Sequence, residues 1–192
     1  MKKRCQWVEG TFDAYVQYHD REWGVPVADD KVLFEFLILE GAQAGLSWST
    51  ILNRREGYRR AFSDWDVYKV AAYDENKVQQ LMQDTGIVRN QLKIRATITN
   101  AQCFIKVMDE FDGFNKYLWS FVDGNPIHNG YKLMKEVPAK TKLSDKLSKD
   151  LKTRGFKFVG STIVYAYMQA VGLVNDHTAD CFRYQEILDG KF

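Results

Sequence analysis

Three cysteines and three histidines are the chain's whole supply of soft metal ligands, and four of the six form two pairs near its opposite ends. Cys5 precedes His19 by 14 residues, and His177 precedes Cys181 by four. The shorter spacing puts two side chains on one helix face or in one tight turn. Two thiolates and two imidazoles are a tetrahedral donor set for zinc. With all four positions filled by protein, such an ion has no open place for a water. Its expected role is therefore structural, one Zn2+ per chain clipping the N-terminal segment onto the C-terminal one. A zinc hydrolase acting on a small molecule would instead need one of the four positions free. Taken singly, a cysteine is usually a small buried apolar group, which is the reading given to Cys103. His128 is read as a surface loop residue.

A second constellation is aromatic. Trp7, Tyr15, Tyr18 and Trp23 fall within the first 23 residues, and Trp48 follows the turn Gly45-Leu46-Ser47. Flat rings hold flat heterocycles, cationic ones especially well. Glu40 closes a largely apolar run from Val32 to Leu39, and a carboxylate there is costly to bury unless it is paired or at work. Each aromatic alone is explained by core packing, and Glu40 alone by a cap or a surface ion pair. Together they point to a pocket with one acidic group.

The formal net charge is only +2, so nucleic-acid binding would have to come from a local patch. Leu81 to Arg89 resembles a helix-hairpin-helix turn in which Gly86 lets backbone amides approach a phosphate, with Val88 in place of a second glycine. Arg89, Lys93 and Arg95 follow and are candidates for phosphate contacts. The lysines between Lys140 and Lys157 are interrupted by Asp145 and Asp150 and read mainly as a solvated helix face.

The elements that must position these groups are helical almost throughout. Asp29-Asp30 can start a helix through Val32 to Leu39, Ser47 one reaching about Phe62, and Asp66 and Asp74 two shorter ones. Ile94, Ile98, Ala101, Ile105 and Met108 share a helix face. Phe114 to Val122 suggests another helix, Ser144 can cap one through Arg154 that ends at Gly155, and a last long one follows Gly160. The expected fold class is all-α, a single unit over residues 1–192 with two helical lobes possible. Residues 158–175 carry no charge, but two glycines and several polar groups make them a buried core helix rather than a membrane span. The odd cysteine count does not suggest a disulfide framework, and Cys5 to Gly10 is no signal-peptide core, so a cytoplasmic, monomeric protein is expected.

Distributed in order along the chain, Arg4-Cys5-Gln6-Trp7-Val8, Tyr18 to Gly24, Leu39 to Trp48, Gly86 to Asn90, Gly155 to Gly160 and Met168 to Cys181 resemble the 3-methyladenine DNA glycosylase I family. The resemblance implies the helix-hairpin-helix glycosylase fold and a zinc site on Cys5, His19, His177 and Cys181. It also implies a base pocket with Glu40 as the carboxylate and Tyr18 and Trp48 as stacking walls. Trp7, Tyr15 and Trp23 become its outer members, and Gly45 and Leu46 the turn that enters the DNA stack. The implied activity is hydrolysis of the N-glycosidic bond of 3-methyladenine in alkylated double-stranded DNA, by nucleotide flipping. An ionised Glu40 would favour the cationic base. Many superfamily members stabilise the sugar cation with an aspartate. Asp176 is the nearest candidate and is read as structural, because its neighbour His177 would hold zinc. With no lyase lysine evident, a monofunctional enzyme is expected. The competing reading is a non-enzymatic DNA-binding module with a zinc staple.

Overall fold

The computed structural model describes residues 2–192. Helix α1 (Asp13–Arg21) places Tyr15, Tyr18 and His19 on one face. Helix α2 (Asp30–Gln43) starts at Asp29, whose carboxylate accepts from the Val32 amide at 3.0 Å. Every residue of α2 from Leu33 to Ala42 is buried. A helix buried all round can only sit inside the protein, and α2 is accordingly packed among three later helices, Gln91–Phe111, Phe114–Trp119 and Ser161–Ala170.

Beyond α2 the chain departs from one expectation. In place of a single helix from Ser47 to Phe62 there are two, α3 (Trp48–Leu52), capped by Ser47, and α4 (Arg55–Ala61). Arg54 breaks them apart with φ −105° and ψ 1°. Its guanidinium reaches across to the carbonyls of Thr85 and Ile87, at 2.5 and 3.5 Å. A tertiary contact thus overrides local helix propensity.

Asp66 and Asp74 cap α5 (Val67–Ala71) and α6 (Glu75–Gln83), as their positions predict. Asn90 caps the 21-residue α7 (Gln91–Phe111). The first amides of α8 (Phe114–Trp119) are satisfied by the carboxylate of Asp30, 3.0 and 2.7 Å away on α2. Helix α9 (Lys142–Thr153) is capped by Thr141 and not by Ser144, which is its third helical residue and completes a capping box.

The uncharged segment is not one long helix. α10 (Ser161–Ala170) stops before Gly172, which has φ +75° and lies so close to residues 25–26 that a Cβ would come within 2.4 Å of their backbone. Among the described residues no helix is long and apolar enough to cross a membrane. The earlier β1 (Ile127–His128) pairs in parallel over two residues with β2 (Val174–Asn175), which follows α10. His128 is half-buried there, 3.2 Å from the amide of Asn175, rather than on the surface. A final helix, α11 (Phe182–Leu188), begins directly after Cys181.

Candidate active site and metal centre

The two chain ends meet as the spacing requires. Cys5, His19, His177 and Cys181 are all buried, with one ligand atom from each within 4.8 Å of all the others. The Cys5 sulfur lies 3.4 Å from His177 Nδ1, and the Cys181 sulfur 3.5 Å from His19 Nε2 and 3.6 Å from His177 Nδ1. A tetrahedral ion with metal–sulfur bonds of about 2.3 Å and metal–nitrogen bonds of about 2.05 Å has sulfur–nitrogen edges of about 3.5 Å. The donor set therefore fits a metal ion in size as well as in chemistry. His177 and Cys181 share a tight turn, not a helix face.

The outer atoms are also in place. His19 Nδ1 is 2.8 Å from the Asp20 carboxylate, which Arg4 holds at 2.7 Å from the other side. His177 Nε2 is 2.8 Å from the Trp23 carbonyl. Such partners fix the ring tautomers and leave the inner nitrogens free to bind. Burial lowers the His177 pKa, favouring the neutral imidazole that binds metal.

Beside this cluster lies a cleft of about 390 Å³. Tyr18 from α1 and Trp48 from the start of α3 form one side, ring centres 5.2 Å apart and tilted by 42°. Trp7 meets Tyr15 at 5.4 Å and Trp23 at 5.1 Å, both edge-on. The same two tryptophans touch the cluster, Trp7 at 5.1 Å from His19 and Trp23 at 4.7 Å from His177. The cleft wall and the ligand cluster are thus one packed unit, and what holds the chain ends holds the wall.

Glu40 stands in this cleft on the last turn of α2. It is 4% exposed, and among the described residues its carboxyl has no hydrogen-bond or ion-pair partner. Burial alone pushes its pKa from 4.5 up to about 8. Burial thus favours the protonated carboxyl at neutral pH unless a cation faces it. The nearby phenols of Tyr18 and Tyr15 are raised too, first by burial and then by Glu40.

The opposite side of the cleft was not foreseen. Thr162, Tyr165, Ala166 and Gln169 of α10 line it, along with Gln43 and the loop residues Met134 and Val137–Ala139. The spacing 162, 165, 166, 169 is one helix face and was legible as such, but nothing local says that this face meets Glu40. Asp176 sits behind it, fully buried. Its carboxylate accepts from Asn129 at 2.6 Å, Tyr165 at 2.6 Å and Gln169 at 2.8 Å.

The remaining singled-out residues frame the cleft's entrance and its flank. Gly45, with φ +77° and open space where a Cβ would point, turns the chain out of α2. Leu46 beside it is 39% exposed. Gly86 lies in the α6–α7 hairpin, with its amide donated to Asp84 at 2.7 Å. The hairpin rests on α4 at Gly57, where a Cβ would stand 2.1 Å from the Gly86 carbonyl oxygen. Arg89 is exposed. Lys93 is not free, since its ammonium donates to the carbonyls of Ala42 and Ala44 at 2.7 and 2.6 Å and closes the C-terminus of α2. Arg95 pairs with Glu75 at 2.7 Å.

An α-helical framework with an aromatic cleft, one buried acid and a helical hairpin on its flank defines a receptor for a flat heterocycle presented by a nucleic acid, the architecture of a DNA base-excision glycosylase. Comparison with known proteins gives the same class. The methyladenine glycosylase family model matches residues 7–184. The chain is 50% identical over 182 residues to DNA-3-methyladenine glycosylase 1 of Escherichia coli K12, covering 95% of this chain and 97% of that one. A crystal structure of a 3-methyladenine DNA glycosylase I superposes with a TM-score of 0.91 at 48% identity, covering 94% and 98% of the two chains. The Staphylococcus aureus glycosylase I, solved to explain 3-methyladenine recognition, superposes with 0.89 at 39% identity, covering 91% and 94%. The chain belongs to the methyladenine glycosylase family.

Proposed function

We propose that this chain removes 3-methyladenine from alkylated double-stranded DNA by hydrolysing its N-glycosidic bond, acting as one monomeric unit. The observation that carries the reading is Glu40, a buried carboxyl that has no partner among the described residues and stands in a cleft walled by aromatic rings. A nucleotide must leave the duplex to reach it. Leu46, exposed on the turn next to Trp48, is the wedge suited to fill the vacated stack. The α6–α7 hairpin and Arg89 hold the backbone.

Methylation at N3 makes the adenine cationic. Aromatic faces favour that charge, and a cation arriving over Glu40 reverses the burial effect on its carboxyl, drawing it into the ionised form. Unmodified adenine is neutral and brings no such compensation, so the unpaired buried acid supplies the discrimination. As the base leaves, the electron pair of the C1′–N9 bond passes to N9. The base departs neutral, water oxygen bonds to C1′, and the water's proton is released. The leaving group is already activated, so no strong general base is required. Asp176 holds three hydrogen bonds behind the wall, which supports a structural role.

The Cys5, His19, His177 and Cys181 set is assigned to zinc on its donor chemistry and its edge lengths. An ion held by all four residues would supply a cross-link between the N- and C-terminal segments and no nucleophile. The test is base release from methylated duplex DNA with the freed bases separated by chromatography. Release of 3-methyladenine, lost in Glu40→Ala, is expected. Folded protein that binds DNA but frees no base would make it a binding module.

A further inference from the structure

Gln169, like Tyr165, is a cleft residue whose orientation is dictated from behind. Its amide nitrogen donates to Asp176 at 2.8 Å. A carboxylate that also takes the Tyr165 hydroxyl and the Asn129 amide, both at 2.6 Å, is an acceptor, and only the nitrogen end of the glutamine amide can face it. The oxygen end is left over. Among the described residues nothing donates to it, and it is not among the buried polar atoms left without a partner, so it is open to the cleft that Gln169 lines. The backbone beneath is equally fixed, since the Gln169 carbonyl accepts from the Gly24 amide at 2.9 Å. Asp176 is fully buried, and turning the glutamine amide would set its oxygen against a carboxylate oxygen and remove one of the three donors Asp176 holds.

We propose that Gln169, held by Asp176, is a specificity-determining residue whose amide oxygen accepts a hydrogen bond from the exocyclic amine of the base in the cleft. The inference rests on the glycosylase reading above and adds a second acceptor to it. Glu40 answers the charge of the base. Gln169 answers the amine, a donor in adenine whose place is taken by a carbonyl acceptor in guanine and hypoxanthine. An oxygen locked toward such a carbonyl leaves two acceptors facing each other, a mismatch the site cannot relieve by turning the amide.

The test uses the full-length, metal-loaded protein and two free bases, 3-methyladenine and 3-methylhypoxanthine, with affinity read from quenching of tryptophan fluorescence. Gln169→Leu keeps the side chain's bulk and removes the acceptor. It is expected to weaken 3-methyladenine binding about tenfold, the worth of one hydrogen bond, and to leave 3-methylhypoxanthine binding unchanged or tighter. Asp176→Asn tests the positioning role, because its added N–H allows the glutamine amide to turn. Its adenine-to-hypoxanthine affinity ratio should fall towards one whatever happens to its melting temperature. Equal losses for both bases in Gln169→Leu, or none for either, would overturn the proposal. Release of 3-methyladenine from DNA by the wild type, measured alongside, keeps the two readings apart. A wild type that releases base while the variant's selectivity stays intact refutes only the role of Gln169. A wild type that neither releases nor binds base refutes both.

Discussion

Replacing Glu40 with Gln should stabilise the protein and cripple the enzyme. In the empty cleft burial raises the Glu40 pKa to about 8 from an ordinary 4.5. The folded state therefore holds a proton that the unfolded chain gives up between those two values. For an acid shifted upward, the favourable contribution is complete below pH 4.5 and is lost as the pH rises through 8. A difference of about 3.5 units at 1.36 kcal/mol each is about 5 kcal/mol between the two extremes. Worked at single pH values, the cost of Glu40 is about 1 kcal/mol at pH 5 and about 3 kcal/mol at pH 7. Glutamine carries no such cost, so Glu40→Gln should gain little stability at pH 5. At pH 7 it should gain about 3 kcal/mol, or about 6–12 °C in Tm for a chain of this size. The assay is calorimetric melting of both proteins from pH 5 to 8 without substrate. Excision should move the opposite way. Losing the ionised partner of a buried cation removes about 1.5–3 kcal/mol, or about 10–150-fold in kcat/KM for 3-methyladenine release. Melting curves of the two proteins that stay superimposed from pH 5 to pH 8 would refute the reasoning, because the acid would then be solvated or paired.

Other consequences are open to direct measurement. Cys181→Ser, or prolonged chelation, should remove the bound metal. If only about 3 kcal/mol of the binding energy of a structural zinc is lost, Tm falls by about 6–12 °C, and an unchanged Tm with no metal present would dispose of the clip. Gly57→Ala places a methyl 2.1 Å from the Gly86 carbonyl oxygen, backbone against backbone. The hairpin must move, at about 1–3 kcal/mol, and DNA affinity should drop with it, whereas wild-type melting and binding would show that α4 and the hairpin are not in contact. Arg89→Ala should lower the salt slope of DNA binding by about one, as a lost phosphate contact does. Lys93→Met should lower activity without changing that slope, since its ammonium is bound to Ala42 and Ala44 carbonyls, and a reduced slope would assign it to a phosphate after all.

The local signals were enough for much of the fold. Asp29, Ser47, Asp66 and Asp74 each cap the helix that follows, because a cap is a contact between residues three apart and is written in adjacent sequence. The Cys and His pairs, the aromatic group and Glu40 were legible too, since burying a carboxyl or gathering scarce ligands is unusual enough to show in residue types alone. What the tertiary structure decided has a common cause, which is partners far apart in the chain. Arg54 breaks a helix to reach residues 31 and 33 positions away. Gly172 ends α10 because residues 25–26 pass against it. Lys93 closes α2 across 51 and 49 positions rather than standing free. The pKa of the Glu40 carboxyl is pushed up to about 8 by burial, although its sequence neighbours give no hint of how completely it is buried. Gln169 is aimed by Asp176, seven residues on but beyond the end of its helix. Residue type fixes what a side chain can donate, accept or bind, while its protonation state and its direction depend on the dielectric and the partners that only the folded chain assembles around it.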